Sequence, residues 1–330
     1  MSRAAHPSMA SKQTAVVRWT GRGRFADLLS SVEFVLADNR VGAKVTAMGW
    51  SVLVTGPGPI EVAALLGAMP GVSWVAAGVA ANSLKELGDA AGVLGRRYLR
   101  KGYTFAVEAE GTGGTKPGDL AGAVVSKILE TTKGARVSES PKTRFKAAFD
   151  GRGGAVGVEV KAGVGGVPTG SSPVVCLVSG GVHSSVLAWM AMLQGFRVQL
   201  VHAEVDEASL RAVARLYSEL SHRGDPRWLG LEAISGKSMA GALRAYASAT
   251  KMPMFAGFHP ADKRIRTPIR RAEAPLYLMP EEWFRAEYSS LGLSPYEASV
   301  DWNARGAGIS KSRRFGGKRA DVSGVLDGLR

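Results

Sequence analysis

Val174-Val175-Cys176-Leu177-Val178-Ser179-Gly180-Gly181-Val182-His183-Ser184-Ser185, followed by the apolar run Val186 to Leu193, decides how this chain is read. Five apolar residues between Pro173 and Ser-Gly-Gly predict a parallel strand buried on both faces, and the periodic segment after them predicts a helix. Strand, glycine turn and helix start follow within a dozen residues. Such a turn aims unpaired backbone N–H groups and the positive end of a helix dipole at one place, where small residues let an anion approach. The stretch therefore reads as a phosphate site.

Downstream, strands and helices alternate. Phe196 to Glu204, Trp228 to Ile234, Met252 to Gly257 and Leu276 to Leu278 read as strands. Glu207 to Arg223, Lys237 to Ala249 and Glu281 to Leu291 read as helices. The alternation predicts a doubly wound parallel sheet. In such sheets ligands sit beyond the carboxyl ends of the strands, where Ser179 to Ser185, Ala203 to Asp206, Ser235 to Lys237 and Gly257 to Pro260 converge. His259 is then expected to face the ligand at this edge. Gly236-Lys237-Ser238 is not a Walker A loop, because Leu231 stands where that motif needs glycine.

Upstream, Val16 to Trp19, Ala43 to Thr55 and Val72 to Ala80 read as strands, with helices at Arg24 to Asn39 and Ile60 to Met69. This predicts a small ferredoxin-like α+β domain over 14–80, with Arg18, Arg22 and Arg24 beside its first turn. Leu84 to Arg100 reads as a helix bearing Arg96, Arg97 and Arg100. Tyr103 to Ala109, Phe145 to Asp150 and Ala155 to Lys161 read as strands, and Asp119 to Thr132 as a helix. The Gly163 to Gly170 joint, dense in glycine, marks a boundary before the phosphate turn.

The chain has 330 residues, enough for two or three domains, and 45% hydrophobic content with a mean hydropathy of +0.02. No apolar run approaches the roughly 18 residues of a membrane span. Residues 1–13 are small and polar without an apolar signal-like core, and are expected to be a disordered tail. A cytoplasmic protein without a membrane partner is expected. Forty-two Lys and Arg against 28 Asp and Glu give +14 and an isoelectric point near 10.1, which favours a polyanion as partner. Residues 301–330 form a basic tail in which Arg305, Lys311, Arg313, Arg314, Lys318 and Arg319 meet no acid between 305 and 319. One cysteine excludes an internal disulfide and any Cys-x-x-Cys site.

Ser179-Gly180-Gly181-Val182-His183-Ser184 resembles the Ser-Gly-Gly-x-Asp-Ser signature of the PP-loop ATP pyrophosphatases. Gly165-Gly166-Val167-Pro168-Thr169-Gly170, with the strands Phe105 to Glu108 and Gly157 to Val160, resembles the end of a THUMP domain, an RNA-binding module. Ferredoxin-like domain, THUMP domain (81–171) and PP-loop domain (172–300) occur in this order in the tRNA 4-thiouridine synthetases. The chain is similar to a divergent member of that family without a rhodanese domain. The resemblance implies binding of tRNA and ATP, release of pyrophosphate, adenylation of a uridine O4 and displacement of AMP by sulfur. A role in thiamine thiazole sulfur transfer, as in some relatives, is also implied. Ser179, Gly180, Gly181, Val182, Ser184 and Ser185 then hold the nucleotide, and Ser184 and His183 occupy the catalytic positions. Arg18, Arg22, Arg24, Arg96, Arg97, Arg100, Arg313 and Arg314 hold RNA.

Two departures qualify the resemblance. His183 stands where the family has an aspartate that supports Mg²⁺, and Mg²⁺ is a hard cation that prefers oxygen ligands. Cys176 lies inside Val-Val-Cys-Leu-Val, where burial raises its pKa and keeps it inert. The sulfur donor is then external, a cysteine desulfurase persulfide or sulfide. Two other readings stay open on sequence: an RNA-binding protein with an eroded active site, and a PP-loop enzyme that aminates a nucleobase. No two of the five histidines stand at metal-ligand spacing from each other, so no metal site is expected. His202, inside a predicted strand, reads as a packed or hydrogen-bonded imidazole.

Overall fold

The computed structural model describes residues 13–100, 102–170, 172–179, 182–203, 207–225, 227, 229–234, 238–256 and 276–278, the last three and residues 182 and 183 as backbone only. Two compact units divide between Pro168 and Thr169.

The first unit opens with strand β1 (Gln13–Trp19), helix α1 (Phe25–Asp38), strands β2 (Lys44–Met48) and β3 (Ser51–Thr55), helix α2 (Pro59–Leu66) and strand β4 (Val72–Ala81). These strands pair antiparallel in the order β2-β3-β1-β4, a ferredoxin-like βαββαβ arrangement. Leu28, Val32, Val35 and Leu36 recur at helical spacing along α1 and are buried against the sheet. Pro59 sits in the first turn of α2, where its missing N–H costs nothing.

The segment read as one strand over Ala43 to Thr55 is instead a hairpin. Gly49, at φ +53°, breaks it, and Met48 pairs with Ser51. Met48 and Trp50 on either side of that glycine keep the run apolar, which hides the turn from a hydropathy reading.

The unit continues with α3 (Leu84–Tyr98), β5 (Thr104–Gly111), α4 (Pro117–Thr131), β6 (Arg136–Val137), β7 (Thr143–Phe149) and β8 (Gly154–Gly165). A capping box starts α3. The Ser83 hydroxyl accepts from the Glu86 amide at 3.1 Å, and Glu86 accepts from the Asn82 amide at 3.1 Å. Strand β5 runs parallel to β6 and β7, and β7 antiparallel to β8. Strand β8 pairs with β4, so the strands of both halves of this unit make one sheet, β2-β3-β1-β4-β8-β7-β5-β6. Gly163, Val164 and Gly165, at the start of the glycine-rich joint, belong to β8.

Alternate positions of this sheet have opposite fates. Ala15, Val17, Val75 and Val79 point towards the helices, α1 and α2 packing over the first half and α3 and α4 over the second. No helix of the described residues covers the other face. There Val16, Met48, Leu53, Trp74, Ala76, Ala148 and Ala155 form a small core of their own.

That face closes on itself by curling. Arg18 on β1 and Glu110 on β5 form an ion pair although β4, β8 and β7 lie between their strands. Four inter-strand spacings of about 4.8 Å in a flat sheet exceed what the two side chains span. Gly78 and Gly157, directly opposite each other on β4 and β8, allow the close backbone approach this curvature needs. A Cβ on Gly78 would lie 1.9 Å from the Val156 carbonyl oxygen.

The second unit has the doubly wound form. Its strands β9 (Pro173–Leu177), β10 (Arg197–Ala203), β11 (Leu229–Ile234), β12 (Met254–Ala256) and β13 (Leu276–Leu278) are all parallel, in the order β11-β10-β9-β12-β13. Helices α5 (Val182–Leu193), α6 (Glu207–Ser221) and α7 (Met239–Thr250) connect the first four. Val175, Leu177, Val201 and Ile234 pack against Leu243 and Ala247 of α7. The strand order reverses between β9 and β12, which makes their carboxyl ends the switch point. The helix expected at Glu281 to Leu291, residues 1–12 of the expected N-terminal tail and the basic tail lie outside the described residues, while Gln13, assigned to that tail, already belongs to β1. No helix of the described residues is long and apolar enough to cross a membrane.

Candidate nucleotide turn and RNA-facing surface

The chain leaves β9 at Val178 and turns through Ser179 beside the end of β12, where Leu177 pairs with Ala256. The peptide group that joins Val178 to Ser179 is held at both ends. Its N–H donates to Ser184 Oγ at 3.2 Å, from the first turn of α5, and its carbonyl meets His202 Nδ1 at 2.9 Å, from β10. Ser179 Oγ lies 3.3 Å from Ser184 Oγ. Ser184 is buried at 3% exposure, and Ser185 is half-buried. The Ser184 hydroxyl is thus committed to the shape of the turn, while Ser179 stands at its partly open rim. Gly180, Gly181, His259 and the side chains of Val182 and His183 lie outside the described residues.

Cys176 is fully buried in β9, one pair of residues before the turn. Burial pushes its thiol above the ordinary cysteine range, which disfavours the thiolate that sulfur chemistry requires. His202, expected to be packed, is 1% exposed and uses both ring nitrogens, the second lying 3.3 Å from Ser209 Oγ.

The first unit sorts the expected RNA contacts into two groups. Arg18 pairs with Glu110 and donates to the Trp50 carbonyl at 2.7 Å, and Arg24 donates to Asp27 at 3.0 Å. These two cations already have carboxylate partners. Arg22, Arg96, Arg97 and Arg100 are exposed. Arg96 and Arg97 lie in the last turn of α3, where the helix dipole favours cations, and the Arg97 guanidinium sits 5.4 Å from the Tyr98 ring centre. Arg313 and Arg314 lie outside the described residues.

Two features of this surface escaped the sequence reading. An open groove of about 340 Å³ adjoins the end of α3, lined by Tyr98, Lys142, Thr143, Arg144, Glu159 and Lys161 among others. Its cations come from two strands and form no run in sequence. Trp50, at the hairpin tip, is 53% exposed while its ring packs, tilted by 37°, against Trp19 with centres 5.3 Å apart, and Trp19 in turn meets Phe25 at 5.7 Å. The Trp-Ser sequence gave no sign of that contact, because the partner ring lies on another strand.

Residues 169–250 match the family model of the thiamine biosynthesis protein ThiI, the segment that contains the turn. Over 60 residues the chain is 40% identical to a probable tRNA sulfurtransferase of Methanocaldococcus jannaschii, a match that covers 18% of this chain and 16% of that protein. Among solved structures, the Pyrococcus horikoshii protein PH1313 superposes with a TM-score of 0.70 at 18% identity, over 85% of this chain and all of that one. A 4-thiouridine synthetase in complex with RNA and bound ATP gives 0.67 at 15% identity, over 88% of this chain and 87% of that one. These likenesses establish a shared fold of ferredoxin-like, THUMP and PP-loop type. The family match covers residues 169–250, within the sheet unit, and the relative from Methanocaldococcus jannaschii is matched over 16% of its own length.

Proposed function

We propose that this protein is an ATP-dependent, tRNA-modifying sulfurtransferase-like enzyme. The observation that carries the reading is the strand-turn-helix at Val174 to Ser185, placed at the switch point of a parallel sheet and inside the segment that matches the family model. A turn of this kind suits a phosphate chain, because it offers backbone N–H donors without side chains in the way. Ser179, Gly180, Gly181 and Ser185 would hold ATP, with Ser184 shaping the turn beneath it and Val182, His183 and His259 at its margin. ATP supplies an adenylyl group, which converts the uridine O4 into a leaving group.

The chemistry then runs in two steps. The uridine O4 bonds to the α-phosphorus as the bond to the β-phosphate oxygen breaks and pyrophosphate departs. Hydrosulfide next attacks C4, the C4–O bond breaks, and AMP leaves with the oxygen. A persulfide donor needs one further thiol from the partner that carries it, to release the transferred sulfur. Cys176 supplies neither, being buried and protonated. The protein's contribution is positioning and electrostatics at the turn.

The exposed Arg22, Arg96, Arg97 and Arg100, the groove cations Lys142 and Lys161, and the Trp50 ring support a tRNA-binding role for the first unit. Phosphates meet the cations, and an unpaired base stacks on the indole. The family description also names thiamine biosynthesis, and an activated carbonyl oxygen displaced by sulfur serves a thiazole precursor by the same logic.

Two measurements test the proposal. Purified protein with ATP, tRNA and sulfide is expected to release pyrophosphate and form thiolated uridine. Nucleoside mass spectrometry of tRNA from a strain lacking the gene is expected to show that nucleoside lost. Unchanged nucleosides, together with no pyrophosphate release, overturn the reading.

A further inference from the structure

The Val178–Ser179 peptide is the last described one before the turn, and its rigid plane sets where Ser179 stands at the rim. Two side chains from different elements clamp that plane. Ser184 Oγ accepts from its N–H at 3.2 Å and His202 Nδ1 meets its carbonyl at 2.9 Å. Both are almost wholly buried, at 3% and 1% exposure. Turning the plane over would break both bonds at once.

The imidazole is itself oriented. A carbonyl oxygen only accepts, so Nδ1 carries the proton. In the neutral ring Nε2 is then an acceptor, 3.3 Å from the Ser209 hydroxyl in the first turn of α6. The chain from Ser209 through His202 to the Val178 carbonyl ties α6, β10 and the end of β9 together at the mouth of the turn. Apolar packing alone would be met as well by leucine, without the demand for two polar partners in a buried place.

We propose that His202 is a positioning residue for nucleotide binding: through Nδ1 it fixes the Val178–Ser179 peptide, and thereby holds Ser179 in place where the nucleotide binds. This inference rests on the reading of the turn as a nucleotide site. It assigns His202 no contact with ATP and no proton transfer.

The test is ATP binding to the full chain by calorimetry, with hydrogen–deuterium exchange across residues 176–186, on wild type and four variants. Asparagine places its amide nitrogen where Nδ1 stands, whereas glutamine reaches towards the Nε2 place. His202→Asn is therefore expected to keep ATP affinity within about threefold of wild type, while His202→Leu and His202→Gln lose about tenfold or more, the scale of one buried hydrogen bond. Ser209→Ala, which removes only the ring's second partner, is expected to lose about threefold. Exchange over 176–186 is expected to rise in the leucine and glutamine variants, with the rest of the sheet unit unchanged.

Three results overturn the inference, and they differ in what else they remove. A wild-type protein that binds no ATP removes the nucleotide reading and this inference with it. Wild-type affinity in His202→Leu, or equal losses in the asparagine and glutamine variants, removes the role of His202 and leaves the nucleotide reading standing. A uniform rise in exchange over the whole sheet unit shows that His202 acts by packing alone. If the leucine variant does not fold, the contrast between asparagine and glutamine, with Ser209→Ala, decides.

Discussion

The charged cluster on the curled face sets up a test in which removing the buried cation costs less than removing its partners. Lys146 is 4% exposed, pairs with Glu108, lies 3.7 Å from Glu159 and holds its ammonium 5.0 Å from the Trp74 ring centre. Arg144 reaches the same two acids, at 3.2 Å and 4.0 Å. In the double variant Glu108→Gln/Glu159→Gln the buried Lys146 side chain loses both carboxylates, a situation that costs about 3–5 kcal/mol. In Lys146→Met a side chain of similar length still covers Trp74, and both acids keep Arg144. Glu108 also keeps water, being 48% exposed, so this loss is expected to stay within about 1 kcal/mol. Urea unfolding of the full chain, followed by tryptophan fluorescence, reads the difference. With a slope of about 2 kcal/mol per molar, the double variant lowers its midpoint by about 1.5–2.5 M and Lys146→Met by about 0.5 M or less. An equal or larger loss in Lys146→Met refutes the reasoning.

The same cluster predicts two opposite pH slopes. Burial alone would raise Glu108, but Lys146 and Arg144 outweigh it and hold its pKa below the ordinary 4.5. Its stabilisation is present above pH 4.5 and lost as pH falls through the lowered folded value, so the gap in melting temperature between wild type and Glu108→Gln narrows on acidification. Burial raises Glu110 above 4.5 and Arg18 only partly opposes it. Its contribution is full below 4.5 and lost as pH rises through the raised folded value, so wild type gains on Glu110→Gln as the pH falls. Parallel slopes for the two variants between pH 7 and pH 4 contradict this account.

Three further outcomes follow from single positions. Gly78→Ala places a Cβ 1.9 Å from the Val156 oxygen and 2.4 Å from the Gly157 Cα, so β4 and β8 must separate; a loss of about 3 kcal/mol or more in urea titration is expected. Cys176→Ser puts a hydroxyl in an apolar core and costs about 1–3 kcal/mol, while thiolation per folded molecule, measured by nucleoside mass spectrometry, stays at the wild-type level. Trp50→Ala, at a 53% exposed position, leaves the melting temperature almost unchanged and weakens RNA binding by about tenfold, the scale of one stacked base, read by fluorescence anisotropy. Unchanged RNA affinity removes Trp50 from the interface.

The sheet unit was legible because its signals are local. Val174 to Val178 is apolar without a break since β9 lies between β10 and β12 and is covered on both faces, and Ser-Gly-Gly ends it where the backbone must turn. Even Leu276 to Leu278, three residues long, was found, as the fifth strand of an alternation already established. His202 was read as packed because it stood in a strand. Its grip on Val178 needed the pairing of β9 with β10, which no residue of either strand announces.

The first unit shows the opposite case, because its decisive features are relations between distant residues. Arg18 reads as a basic residue beside a turn, and in isolation that suits an RNA phosphate. The curl of the sheet brings Glu110 to it across three intervening strands and converts it into a clamp. The curl itself comes from Ala76, Gly78, Ala155 and Gly157, small residues that look like weak strand formers until β4 is known to lie against β8. Once those strands pair, the small residues let the backbones close, closure buries Lys146, and burial obliges Glu108 and Glu159 to stand beside it. The ferredoxin-like and THUMP portions thereby share hydrogen bonds, an apolar cluster and an ion-pair network on one continuous sheet. A surface built on such a sheet presents Arg22 and Trp50 from one portion and Arg96 and Arg97 from the other on a common scaffold. The continuous sheet thus holds these exposed side chains in a constant relation to one another.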